Sequence, residues 1–163
     1  MTFLAWAVLA APAALFLLLG GASLLGRPVS ERANARLVSG MLAVAWAAAL
    51  ALACAYAGRL DLPSGVGPGP GRAGFEFRWV FDGLSITFLL LILTLCAVVG
   101  RFAHRYLHRE PGYARFFVLY AMFVAGMTFA AAAGSLETLV AAWEIVGISS
   151  VMLIVFFHER PEP

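Results

Sequence analysis

The chain has 163 residues, 63% of them hydrophobic and 12% charged, with a mean hydropathy of +0.92. Soluble domains carry about 25% charged residues, and a fold of this size has no interior large enough to hide so much apolar surface, which excludes a water-soluble enzyme and a disordered chain alike. All 11 basic residues are arginine and the formal charge is only +2, so nothing points to a nucleic-acid partner.

A hydrocarbon core about 30 Å thick needs roughly 20 apolar residues at 1.5 Å rise. Five stretches qualify, which predicts an all-α integral membrane protein with five transmembrane helices. The first, residues 2–25, has no basic residue before its apolar run, and that run is longer than the apolar region of a signal peptide, so it reads as a span. Arg27, Arg32 and Arg36 separate it from the second, residues 37–58. Residues 63–74 (PSGVGPGPGRAG) are too rich in Gly and Pro for regular structure. In the next seven residues, 75–81 (FEFRWVF), Phe75, Phe77, Trp79 and Phe81 alternate with Glu76, Arg78 and Val80. That period of two predicts a short β-strand with an aromatic face resting on the membrane interface or on a neighbouring subunit.

The third span covers residues 82–102, and Asp82 is placed to cap it, with Ser85 three residues on. Past its apolar part, Arg101, Arg105 and Arg109 form one stripe, with His104 and His108 on a parallel one. The histidine spacing suits a metal, but three flanking arginines oppose a cation, so a positive cap touching lipid phosphates is the better reading. The fourth span is 113–133 and the fifth 136–157. Cys54 and Cys96 lie inside apolar runs without metal-ligand spacing. The chain thus divides into 1–58, two leading helices; 59–81, the loop and strand; and 82–163, helices three to five.

Arginine position sets the orientation. Arg27, Arg32, Arg36, Arg101, Arg105, Arg109, Arg115 and Arg160 fall on one side, against Arg59, Arg72 and Arg78 on the other. This bias puts the N-terminus outside and the C-terminus in the cytoplasm of a bacterial inner (plasma) membrane.

Glu144 is the one carboxylate deep inside a span. Eight residues past Leu136, it lies about 12 Å along its helix, too deep to reach water by snorkelling. It must face protein or a hydrated cavity, as a proton or ion relay or as a protonated acid bonded to a neighbouring helix. Seven residues are nearly two turns, so Glu137, Glu144, Val151 and His158 share a face, and three of these four can titrate. Glu137 and His158 are weaker proton-transfer candidates, because a helix N-terminus and the membrane interface account for them. Gly147 and Ser150 lie nearby and permit close helix approach or hydration. There is no nucleophile–base arrangement, phosphate-cradling loop or dinucleotide fingerprint.

Three motifs, Phe81-Asp82-Gly83-Leu84-Ser85-Ile86-Thr87, Gly112-Tyr113-Ala114-Arg115-Phe116-Phe117 and Trp143-Glu144-Ile145-Val146-Gly147-Ile148-Ser149-Ser150, occur in order. With them, the chain resembles the N-terminal part of the antiporter-like proton-translocating subunits, best the L subunit of bacterial NADH-quinone oxidoreductase (respiratory complex I). The large subunit of multisubunit sodium/proton antiporters is similar. The resemblance is carried by residues 75–160. It implies two inverted five-helix repeats with broken helices, of which this chain would hold three leading helices and two-fifths of one repeat. It also implies that Glu144 belongs to a proton-transfer site and pairs with a lysine on a later helix. The chain contains no lysine, so it is expected to carry half of that site, as a split or truncated piece or as part of a longer product. The implied partners are other membrane subunits, including one that supplies the later helices, and the lipid bilayer. NADH, quinone, flavin and iron–sulfur clusters would belong to partner subunits, and no cofactor to this chain. The alternatives are a component of a sodium/proton antiporter, of an inorganic-carbon uptake or membrane hydrogenase complex, or a structural membrane scaffold.

Overall fold

A computed structural model describes residues 1–58 and 76–157 of the chain. Within them lie α1 (Thr2–Leu24), α2 (Glu31–Ala57), α3 (Gly83–Tyr106), α4 (Tyr113–Ala131) and α5 (Leu136–Ile154), with a single 3₁₀ turn at Val155–Phe157. All five helices are long and apolar enough to cross a bilayer, so the chain is a multi-pass membrane protein. The Gly/Pro segment 63–74, Arg59, Arg72, Phe75, His158 and Arg160 lie outside the described residues.

Two helices run beyond the apolar stretches that announce them. α2 begins at Glu31 rather than at residue 37, and α3 continues to Tyr106 rather than 102. Hydropathy marks only the part inside hydrocarbon, whereas a helix continues until its backbone is capped or turned. Glu31 favours the start of α2 by sitting in its first turn, beside the positive end of the helix dipole. The turn after α3 uses Arg109 and Gly112 in left-handed conformations, φ 65° and 90°. At Gly112, which precedes α4, the missing Cβ removes the steric cost of that geometry. The Arg109 amide is held by donating to Glu31 Oε1 at 3.1 Å.

Helices α1 to α4 close a ring, α1 against α2 and α4, and α3 against α2 and α4, while α5 packs on the outside, chiefly against α4. The ring's interior is filled by Val8, Leu9, Leu15, Leu52, Leu89, Leu93 and Phe117, all almost completely buried. α2 contributes Ala45 and Ala49 to this core. In lipid, helices associate through close packing and interhelical hydrogen bonds rather than apolar burial, and small residues allow that approach. Such bonds join α3 to both its neighbours. Trp46 Nε1 donates to Thr94 Oγ1 at 3.0 Å, and the Tyr120 hydroxyl donates to the main-chain oxygen of Cys96.

The strand expected before α3 does not form among the described residues. Residues 76–82 make one isolated antiparallel bridge, Trp79 to Ala133, in the turn between α4 and α5. A ladder needs a partner of comparable length, and the α4–α5 connection offers only residues 132–135. Nor does the alternation sort two faces: Phe77 is 41% exposed while Phe81 is 2% exposed. Trp79 packs edge-on to Trp6 of α1 and tilted against Phe129 of α4, with ring centroids 6.1 and 5.6 Å away. The aromatic side chains are thus distributed around the bundle end.

What the segment does instead is clamp the α2–α3 connection to the α4–α5 turn. Val80 N donates to Ala132 O and Gly134 N to Arg78 O, both at 2.8 Å. Arg78 N donates to Thr138 Oγ1 at 2.9 Å, and the Ser135 hydroxyl to Glu76 O. The start of α3, the end of α4 and the start of α5 are therefore fixed to one another at the same end of the bundle.

Candidate functional site

The position of Glu144 follows from how α5 sits on α4. Ser135 caps α5 by accepting from Thr138 N at 3.3 Å, and Glu137 lies in the first turn, where the helix dipole favours an acid. Midway along, α5 comes close to Gly126 of α4. A Cβ at Gly126 would lie 2.9 Å from both Ile145 Cγ2 and Val146 Cγ2, and 3.1 Å from Val146 N. This contact fixes the rotation of α5. Thr138, Ala142 and Ser149 are buried, and the opposite face is left open.

Glu144 lies on that open face. It is exposed, and so are Trp143 (70%), Ile148 (53%) and Val151 (59%). Glu144 sits eight residues from Leu136 and ten from Ile154, about 12 and 15 Å along the axis. Among the described residues, no hydrogen bond or ion pair reaches its carboxylate. Glu137, half-buried, and Val151 are on the same face at the expected spacing, whereas His158 is outside the described residues. Gly147 is also on this side, and a Cβ there would meet nothing within 4 Å. The close approach on α5 is made by Gly126 instead, a residue that sequence reading did not single out.

At the clamped end of the bundle, Asp82 closes a capping box on α3. Its Oδ1 accepts from Ser85 N at 2.7 Å and from the Ser85 hydroxyl at 2.6 Å, while Asp82 N donates to Ser85 Oγ at 2.9 Å. The Ser85 hydroxyl, and then the Ser85 amide, hold the Asp82 carboxyl below its usual range.

At the opposite end, the two histidines of α3 and its turn have separate partners. The His104 ring stacks on Phe117 at 4.0 Å, and its Nδ1 meets the Tyr113 hydroxyl. His108 Nδ1 lies 2.7 Å from Glu31 Oε2. Glu31 thus ties the start of α2 to the α3–α4 turn. Sequence reading overlooked it, although it is the one carboxylate between the first two spans. Among the described residues, no three His, Cys, Asp or Glu side chains converge as metal ligands.

Residues 70–117 match the family described as the N-terminus of chain 5 of NADH-ubiquinone oxidoreductase (complex I). The chain is also similar to subunit L of NADH-quinone oxidoreductase from Escherichia coli (strain K12), 34% identical over 92 residues, or 56% of this chain and 15% of that protein. The corresponding subunit of Pseudomonas aeruginosa is 37% identical over 85 residues, 52% of this chain and 14% of that one. The chloroplastic NAD(P)H-quinone oxidoreductase subunit 5 of Zygnema circumcarinatum is 34% identical over 86 residues, 53% of this chain and 12% of that one. These matches bear out the resemblance carried by the sequence motifs. The chain covers no more than 15% of the length of these three relatives.

Proposed function

We propose that this chain is the N-terminal membrane segment of a proton-translocating, antiporter-like subunit in an assembly of the NADH-quinone oxidoreductase type. In that assembly Glu144 supplies the carboxylate of a proton-transfer site. The observation that carries this reading is a carboxylate midway along an apolar helix, without a partner among the described residues, on the face left open by the four-helix ring. On insertion scales a charge at the centre of a lipid-facing helix costs about 2.5–3.5 kcal/mol. Such a face is stable when protein covers it and a cation or a hydrated path meets the acid. Among the described residues no arginine is placed to be that cation: Arg27, Arg32, Arg36, Arg101, Arg105, Arg109 and Arg115 lie toward the end of the bundle away from the clamp, and Arg78 lies in the clamp.

The covering element is a helix of another subunit or of further chain, and it carries the basic partner. The reading also places the N-terminus outside and the C-terminus in the cytoplasm of a bacterial plasma membrane. In the whole assembly, partner subunits hold the NADH, quinone, flavin and iron–sulfur chemistry, and this chain moves protons. Glu137 is the next titratable group along the same face, toward the outer end.

The test is Glu144→Gln in the chain together with its native partners. Inverted membrane vesicles are assayed for redox-driven acidification with a pH-sensitive dye, and assembly is followed by native gel. Proton pumping is expected to fall to background while assembly remains intact. Unchanged pumping would overturn the assignment.

A further inference from the structure

The seam between α2 and α3 contains a groove of about 440 Å³, within the range of small-molecule sites, about 300–1,000 Å³. We propose that this groove binds an anionic phospholipid, with one acyl chain along the seam and the phosphate at Arg101. This site is independent of Glu144.

Three features of the groove support that occupant. First, its walls are small or apolar. Ser39, Leu42 and Ala43 of α2 line it together with Ala97 and Val98 of α3. Second, its lining runs from an indole at one end to a guanidinium at the other. Trp46 and Thr94 line the end away from Arg101, and the indole N–H is satisfied by Thr94 Oγ1 at 3.0 Å, so the acyl chain meets no unpaired indole donor there. From Trp46 to Val38, where the wall ends, is eight residues, about 12 Å along α2. The lining therefore runs from the level of Arg101 only partway along the seam, as suits a chain entering from the headgroup layer. A transmembrane helix, about 10–12 Å across and spanning the whole core, needs a continuous face instead.

Third, the charge is at the right depth and unopposed. Arg101 lies 18 residues after Gly83, about 27 Å along α3, beside the edge of a hydrocarbon core about 30 Å thick. Arg105 follows one turn later, and Arg36 lies three residues before Ser39 on α2. Among the described residues, none of these three arginines has an ion pair. The nearby carboxylate of Glu31 is engaged by His108 and the Arg109 amide. Guanidinium groups pair with phosphate in a fork of two hydrogen bonds, which favours a phosphate-bearing headgroup with a net negative charge.

The experiment uses the chain in the assembly with which it copurifies, in nanodiscs containing phosphatidylglycerol or phosphatidylcholine with a photoactivatable group on the acyl chain. After illumination, labelled peptides are read by mass spectrometry. Phosphatidylglycerol is expected to label the peptides around Ala43–Trp46 and Thr94–Val98 about fivefold more than phosphatidylcholine, corresponding to about 1 kcal/mol at 1.4 kcal/mol per tenfold. Arg101→Gln is expected to remove that preference, and Arg101→Lys to retain most of it. Ala97→Phe, which fills the groove, is expected to suppress labelling by both lipids. Equal labelling of the unmodified chain by the two lipids would overturn the proposal without any variant having to fold. So would absence of label in the seam, the result expected if a protein helix covers it, or a preference that survives Arg101→Gln.

Discussion

Gly134→Ala introduces one methyl group into the clamp between the α2–α3 and α4–α5 connections. A Cβ there would lie 2.6 Å from Val80 Cγ2, 3.2 Å from Arg78 O and 3.3 Å from Val80 N. Val80 can rotate its side chain, but the other two atoms are main chain. They are also the acceptor and donor of the two bonds that make the bridge, Gly134 N to Arg78 O and Val80 N to Ala132 O, both 2.8 Å. Relief of the clash therefore moves the segment outward and stretches the bridge. Overpacking costs about 1–3 kcal/mol, and each bond contributes about 0.5–1.5 kcal/mol. These describe one displacement and do not add, so the expected loss is about 1–3 kcal/mol. Hydrogen exchange in nanodiscs reads it directly: amides of residues 78–80 exchange roughly five- to a hundredfold faster, at 1.4 kcal/mol per tenfold. Gly40→Ala is the control, because a Cβ there meets nothing within 4 Å inside α2. In that helix interior the same substitution stabilises by about 0.5–1 kcal/mol. If Gly134→Ala leaves exchange at 78–80 unchanged, or behaves like Gly40→Ala, the clamp does not hold the two connections together.

Asp82→Ala removes the acceptor of the α3 cap and is expected to cost about 0.5–2 kcal/mol at neutral pH, read as a lower unfolding midpoint in detergent; an unchanged midpoint would dismiss the cap as a contributor. The Asp82 carboxyl is held below its ordinary value in the folded chain, so the folded state binds fewer protons than the unfolded one. Its contribution is complete above that unfolded value and is lost as pH falls through the lower folded value. Asp82→Asn, which cannot ionise, should therefore show a smaller acid decline than the parent, and identical profiles would refute the linkage. Gly126→Val forces side chain against the Val146 backbone amide and is expected to cost about 1–3 kcal/mol. An engineered cysteine pair across α4 and α5 should then cross-link more slowly, and an unaltered rate would mean that Gly126 does not set their spacing.

The five spans were legible because hydrocarbon imposes one requirement, a long apolar run, that sequence displays directly. Their ends were not, since α2 and α3 continue through Arg32, Arg36 and Arg105 into the interface, where capping and dipole terms decide and hydropathy is silent. The misread strand has a similar origin. Alternating Phe77, Trp79 and Phe81 suits a strand, but a strand also needs a partner, and the partner here is a turn between two helices. Glycines were harder still. Gly147 was singled out and meets nothing, while Gly126 and Gly134 carry the contacts that position α5. All three lie in small or apolar surroundings in the sequence. Which of them is approached depends on the rotation of α5 about its axis, a tertiary quantity that a weakly amphipathic span does not encode.

That rotation also explains how Glu144 differs from four hydroxyl groups inside the spans. Thr87, Thr94, Thr128 and Ser149 each donate to a carbonyl in their own helix, at 2.7 to 2.9 Å. A hydroxyl can do this because it carries its own donor, and the helix interior offers carbonyl oxygen. An ionised carboxylate is an acceptor only, and the amides around it are already committed to the helix ladder. It must be met by a donor from outside its helix, from a neighbouring side chain or from water. Among the described residues none reaches it, and the face it occupies is the one α5 turns away from α4. The same reasoning predicts how Glu144→Gln behaves. A glutamine amide brings two donors of its own and, like the threonines, can bond a carbonyl of the preceding turn. The variant should therefore insert and assemble normally, while lacking a group that can release and rebind a proton. Loss of ion coupling with intact assembly then separates a proton carrier from a structural acid, which glutamine would replace at little cost.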